Sequence, residues 1–305
     1  MPPRPRDDGL SEVVGFVLLL GVIVVALSLY QVYGVPAAGR ENEIAHMNQV
    51  KDRFVDYKIA LDSLWVNSVG DNMKGVLLST AFDLGTGAPA TGGTAFAFPI
   101  LTPAGSGGTV SVQSGGASLT IDTGSTNVTI PLGNLIYRSS NRYWVDQTWI
   151  YQMGAVFLSQ EGGTTVRVGP PLSIDKENDT VSVHITPVNI TGSAYLAGSG
   201  PVRIETRLLN TEPYDNLTGN FPWVNISIEA GDKERARAWE RVFREAVRRG
   251  DGIPPLWYKI GWSEETAYLN ITGPSSNGEK TPDVILKHNR ATYEVSITSA
   301  ASLIE

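Results

Sequence analysis

The sequence predicts a mainly β protein with a long N-terminal α-helix: an antiparallel β-sandwich-like exterior region behind a transmembrane helix. Three observations predict it. Residues 13–33 form an apolar run, a dozen short alternating segments come after it, and no strand-helix-strand alternation of the parallel kind appears. With 305 residues, 42% of them hydrophobic and 18% charged, the chain has enough apolar material for one large globular unit or two stacked ones. That excludes disorder along its whole length.

Between Glu12 and Arg40 no residue carries a formal charge, and within 13–33 only Ser28 and Gln31 are clearly polar. At about 1.5 Å per residue the run spans the roughly 30 Å hydrocarbon core of a bilayer. A soluble core helix would carry a polar face, and this stretch has none. A cleaved secretory signal is the alternative, with Ala37-Ala38-Gly39 imitating a small-residue cleavage site. Basic residues do not fix the orientation, because Arg4 and Arg6 precede the run while Arg40, Lys51 and Arg53 come after it. Six Asn-x-Ser/Thr triplets, at Asn127, Asn178, Asn189, Asn216, Asn225 and Asn270, all lie after the run and favour an exterior bulk. A chain rich in Asn, Ser and Thr also generates such triplets by chance.

The entry to the apolar run, Asp8-Gly9-Leu10-Ser11-Glu12-Val13-Val14-Gly15-Phe16, resembles the class III signal of archaeal type IV pilin-like surface proteins. The resemblance covers about the first seventy residues. It implies that a prepilin peptidase cuts between Gly9 and Leu10 and leaves the apolar helix on the mature protein. It also implies that Glu12, at the helix head, meets the new terminal amine of a sister subunit. A plain interfacial acid, favoured by the helix dipole, is the other reading of Glu12. Asp7 and Asp8 depart from the family pattern, which places basic residues before the cut.

Gly34, Pro36 and Gly39 are expected to kink or briefly break the helix where it leaves the bilayer. Over residues 41–66 the pattern is again helical, with Met47, Val50, Phe54, Tyr57, Leu61 and Leu64 repeating at spacings of three and four. The stripe is too short for a coiled coil, so packing against the protein's own sheet is expected. Residues 1–9 then form a leader, 10–35 the membrane helix, 36–68 an amphipathic helix and 69–305 the exterior region.

Residues 84–116, rich in Gly, Ala, Thr and Pro, read as loops or short strands joined by turns. Strands are predicted at 109–113, 118–122, 127–131, 144–151, 155–159, 164–168, 180–186, 202–209, 223–229, 257–261, 266–271 and 293–298. One helix interrupts them at 232–249, with Asp232 as N-cap and Gly250 as stop. Its apolar face carries Trp239, Val242, Phe243, Ala246 and Val247, and its arginines are interleaved with Glu234, Glu240 and Glu245 as on a solvated face.

Chemistry-bearing patterns are sparse. The chain has no cysteine and three histidines, which excludes a disulfide framework and a thiolate metal site. The net charge of −7 argues against nucleic acid as a partner. No Gly-x-Ser-x-Gly elbow occurs. His184 reads as an outward strand residue, His46 as a helix residue and His288 as part of a polar turn. The run Asp175 to Thr180 reads as a solvated turn rather than a calcium loop. No catalytic residue, cofactor or metal is expected. The leading expectation is a non-enzymatic, membrane-anchored, pilin-like cell-surface protein that displays a glycosylated β domain outside the cell, as a minor filament component or a surface anchor. Its partners would be membrane lipid, the prepilin peptidase, and sister subunits or surface glycans. The alternative is a membrane-tethered carbohydrate-binding or adhesive module, for which Trp144, Trp149, Trp223, Trp257 and Trp262 would have to be exposed together. An anchored hydrolase, with carboxylates or His184 converging in a cleft, ranks last.

Overall fold

The computed structural model describes residues 8–68, 73–87, 101–211, 217–250, 252–272 and 283–299. Its first element is one unbroken helical rod: α1 (Asp8–Leu29), a π-helical turn (Tyr30–Gly34) and α2 (Val35–Val66). The expected break is absent. Pro36 sits in the first turn of α2, where its missing N–H and its ring would disturb an α-helical ladder, and the wider π turn just ahead absorbs the misfit.

The two ends of the rod meet different surroundings. Large apolar residues from Val13 to Tyr33 are exposed, whereas Val35, Gly39, Glu43, His46, Met47, Val50, Phe54, Tyr57, Lys58, Leu61 and Leu64 are buried along one stripe of α2. The predicted stripe therefore packs on the protein's own sheet, and it extends further toward the N-terminus than the apolar pattern alone indicates. Six large apolar side chains buried at about 1.5–3 kcal/mol each contribute on the order of 10 kcal/mol to holding the rod on the β region.

The β region is built around a central sheet with strand order β14 (Tyr258–Ser263), β15 (Thr266–Ile271), β13 (Val224–Glu229), β2 (Gly107–Asp122), β3 (Asn127–Ser140), β4 (Thr148–Gln152), β5 (Ala155–Gln160) and β6 (Gly163–Val168), with β10 (Ser193–Gly198) also paired to β2. Its middle strands are buried on both faces. Leu135, Tyr137, Trp149, Tyr151 and Leu158 enter the core beneath α2, while the alternating Ile136, Ile150 and Phe157 enter a second core beneath α3 (Lys233–Arg249). On the α2 face lies a sheet of order β1 (Leu77–Asp83), β11 (Pro201–Asn210), β17 (Ala291–Ser299) and β9 (Val188–Thr191). With α3 lies a sheet of order β12 (Gly219–Phe221), β16 (Val284–His288), β8 (Thr180–Ile185) and β7 (Leu172–Glu177).

Several expectations about individual strands change. The segments 109–113 and 118–122 belong to one long β2; between Gln113 and Ala117 the pairing moves only from Asn134 to Leu132, and the extra residues bulge out at Gly115 and Gly116, both at positive φ. The strand predicted at 144–151 starts only at Thr148, because the residues before it dock on α2. Two ladders, β16 with β8 and β17 with β9, are parallel in an otherwise antiparallel arrangement. The helix at 232–249 forms as expected, with Asp232 Oδ1 accepting from the Arg235 N–H at 2.8 Å. Its apolar face is anchored by Trp239 Nε1, which donates to buried Gln152 Oε1 at 2.7 Å; Gln152 Nε2 in turn donates to Asn134 Oδ1 at 2.9 Å.

Candidate functional site: a membrane anchor and its joint with the β domain

The rod is the one described helix long and apolar enough to cross a membrane. Gly9 and Leu10 fall within the backbone of α1, and Glu12 is exposed in its first turn. Tyr30 and Tyr33 close the apolar stretch and are both exposed, as aromatic residues at a membrane boundary would be.

Just past them, the rod is clamped to the β domain. The β3–β4 hairpin runs alongside α2, and its contacts descend the rod in order. The Tyr57 and Tyr151 rings meet edge-on with centroids 5.4 Å apart, those of Phe54 and Trp149 lie 6.3 Å apart, and those of His46 and Tyr137 lie 6.4 Å apart. At the hairpin tip, buried Glu43 accepts three backbone N–H groups: Arg142 at 2.7 Å, Tyr143 at 2.8 Å and Trp144 at 2.7 Å. A carboxylate satisfied in this way is a strong, charge-assisted clasp. One turn lower, the Tyr143 ring lies so close to Gly39 that a Cβ there would come within 2.3 Å of it, and the Arg40 guanidinium stacks 4.4 Å from the Trp144 ring centroid.

Farther up, Tyr57 Oη and Thr206 Oγ1 are 2.9 Å apart, and Tyr293 Oη donates to the Leu61 carbonyl at 2.6 Å. Burial pushes the phenols of Tyr57, Tyr151 and Tyr293 well above the usual range, so they stay neutral. Two of the three histidines lie where expected, His46 on helix α2 and His184 on strand β8, and the third does not. His46 is buried, with Nε2 2.8 Å from the Asp83 carbonyl, beside an open cavity of about 300 Å³ that also touches Gly39, Asn42 and Thr86. His288 is a buried end residue of β16 rather than part of a polar turn, and burial, with Arg290 nearby, pulls its pKa down to about 4. His184 is half-buried, its Nε2 3.2 Å from Ser182 Oγ. Among the described residues no group of three or more His, Asp or Glu is arranged to hold a metal. The Asp175 to Thr180 segment is a hairpin between β7 and β8 that turns at Asn178, with φ 55°.

The acceptor asparagines divide by position. Asn127 opens β3 and Asn178 sits in the β7–β8 turn, both exposed. Asn189 is half-buried and its Oδ1 accepts from Gly133 N–H at 2.9 Å. Asn225 and Asn270 are half-buried and face each other across β13 and β15. Asn216 lies outside the described residues.

The five tryptophans named for the adhesive reading are not exposed together. Trp149 is buried and Trp144, Trp223, Trp257 and Trp262 are half-buried; Arg40 covers Trp144, Lys176 covers Trp257, and Lys233 and Arg237 cover Trp262. The arginines of α3 are held by their own acids, as in the pairs Arg237–Glu234, Arg244–Glu240 and Arg248–Glu245. Sequence reasoning missed Glu43, since an acid on an amphipathic helix reads as solvent-facing. The available signal was its place on the buried stripe, four residues from Gly39 and from Met47.

Residues 106–255, just under half of the chain, match a family of unknown function, DUF7289. No curated protein and no solved structure matches the chain. The matched residues run from β2 past α3, take in seven of the nine strands of the central sheet, and leave out the rod, β14 and β15. The chain thus pairs a single N-terminal apolar helix with a β domain, a plan compatible with a membrane-anchored surface protein.

Proposed function

We propose that this protein is a non-enzymatic, pilin-like cell-surface protein, held in the cytoplasmic membrane by its N-terminal helix and displaying a glycosylated β domain outside the cell. It acts as a surface anchor or a minor filament component. The observation that carries this reading is the rod itself: about twenty apolar residues exposed on every side run without a break into a helix buried in the β domain. Such a surface needs lipid or a helical bundle around it. The N-terminal resemblance makes a prepilin peptidase the processing enzyme, cutting between Gly9 and Leu10. A secretory cut after Gly39 would fall under the Tyr143 ring and discard buried Val35, so the packing supports a rod that is kept.

The test is mass spectrometry of the native protein's first residue, with fractionation of membranes and mapping of glycopeptides. A membrane-bound product starting at Leu10 is expected, with glycans at Asn127 and Asn178 in preference to Asn189. A freely soluble product starting near Arg40 would overturn the reading.

A further inference from the structure

We infer that the tip of the β3–β4 hairpin, residues 141–146, is a second membrane contact that rests in the phospholipid headgroup layer beside the rod. This rests on the reading that residues 13–33 span the bilayer. The order of contacts along α2 fixes the direction of the hairpin: Tyr151 meets Tyr57, Trp149 meets Phe54, Tyr137 meets His46, the 142–144 backbone meets Glu43, and Tyr143 meets Gly39. Each step moves toward the apolar end of the rod, so the tip is the part of the hairpin nearest the membrane.

Distance agrees with that placement. At about 1.5 Å per residue, Arg40 stands roughly 10 Å beyond Tyr33. The polar layer on each side of a hydrocarbon core is about 5–8 Å thick. Helical side chains lean back toward the N-terminus, here toward the bilayer, which brings the Arg40 and Trp144 pair down to the headgroups.

Composition agrees as well. The tip carries half-buried Tyr143 and Trp144, exposed Arg142, and Val145 at 48% exposure, an apolar side chain with no internal reason to be at a loop apex. Asp146 is the exposed acid of the same tip; its Oδ1 accepts from Asn141 N–H at 2.7 Å, which holds it in the loop, and the exposed cation Arg142 on the tip balances its charge. Two aromatic rings, one with a cation over it, and one protruding valine suit the boundary between water and acyl chains. With Glu43 clasping the tip, the contact would fix the tilt of the whole β domain over the membrane. A single helix without such a support leaves that angle free.

The absence of cysteine permits a direct test on the full chain. Three single-cysteine variants, Leu20→Cys, Val145→Cys and Val66→Cys, each labelled with a polarity-sensitive fluorophore, are reconstituted into phosphatidylcholine vesicles containing spin-labelled lipid. Val66 is the matched control: it is also an exposed valine, at 58%, and lies roughly 40 Å farther along the helix than Arg40. Strong quenching is expected at position 20, intermediate quenching by headgroup-labelled lipid at 145, and none at 66. Quenching at 20 with 145 no different from 66 overturns the inference and leaves the anchor standing. No quenching at 20 overturns the anchor reading itself.

Discussion

The two halves of the N-terminal rod share one backbone and one handedness, yet they are suited to opposite solvents. Residues 13–33 are apolar on every side and exposed; residues 35–64 are apolar on one stripe and bury it. Helix formation is common to both. What separates them is whether polar residues occupy the remaining faces, and this decides whether lipid or a β-sheet surrounds the element.

That contrast makes core substitutions the most damaging test. Phe54→Ala removes a ring that is 1% exposed and is expected to cost about 3–5 kcal/mol, read as a lower midpoint of denaturant unfolding in detergent. Leu20→Ala, an equally apolar change in the lower half, should leave that midpoint within about 0.5 kcal/mol. If the two changes cost the same, the halves are not in different surroundings.

Leu20→Arg inverts the comparison. A cation near the middle of the span costs about 2.5–3.5 kcal/mol of insertion, so the protein should shift out of the membrane fraction while its β domain keeps its unfolding midpoint.

The joint between the halves is tested by Glu43→Ala, which leaves three N–H groups of the hairpin tip without an acceptor. Water reaching the loop makes up part of the loss, and the net cost is expected to be about 2–3 kcal/mol. Amide exchange at Arg142, Tyr143 and Trp144 should accelerate most. Unchanged exchange there would remove Glu43 from the joint.

Acid probes the β domain through His288. Burial holds His288 near pKa 4 in the folded chain against about 6.5 when unfolded, so the unfolded state takes up the proton first. The stability owed to neutral His288 is complete above pH 6.5, declines as pH falls from 6.5 to 4, and changes no further below that. His288→Met should flatten the dependence of unfolding free energy on pH across that window. An unaltered slope would place the titration elsewhere.

Much of the fold is legible from local pattern. The stripe of α2, the N-cap of α3 and most of the central strands arise from periodicities of 3.6 and 2 that need no knowledge of neighbours. The strands that local pattern missed share one cause. β1, β7, β9, β10, β12 and β16 are short or lie at or near sheet edges, and β9 and β16 find their partners by parallel pairing with strands distant in sequence. Residues 144–147 look like the start of a strand because Trp144 and Val145 have strand-forming side chains. A carboxylate a hundred residues earlier captures the backbone N–H groups of 142–144 instead.

By itself the sequence determined the rod, its division into lipid-like and protein-like halves, and the mainly antiparallel character of the β region behind it. These are consequences of side-chain polarity at fixed backbone periods. Only the tertiary structure decided that two cores lie on opposite faces of one shared sheet, that Pro36 is absorbed without a break, and that a buried glutamate locks the hairpin tip to the base of the rod. Those features depend on contacts between segments far apart in the chain, which no local pattern of residues encodes.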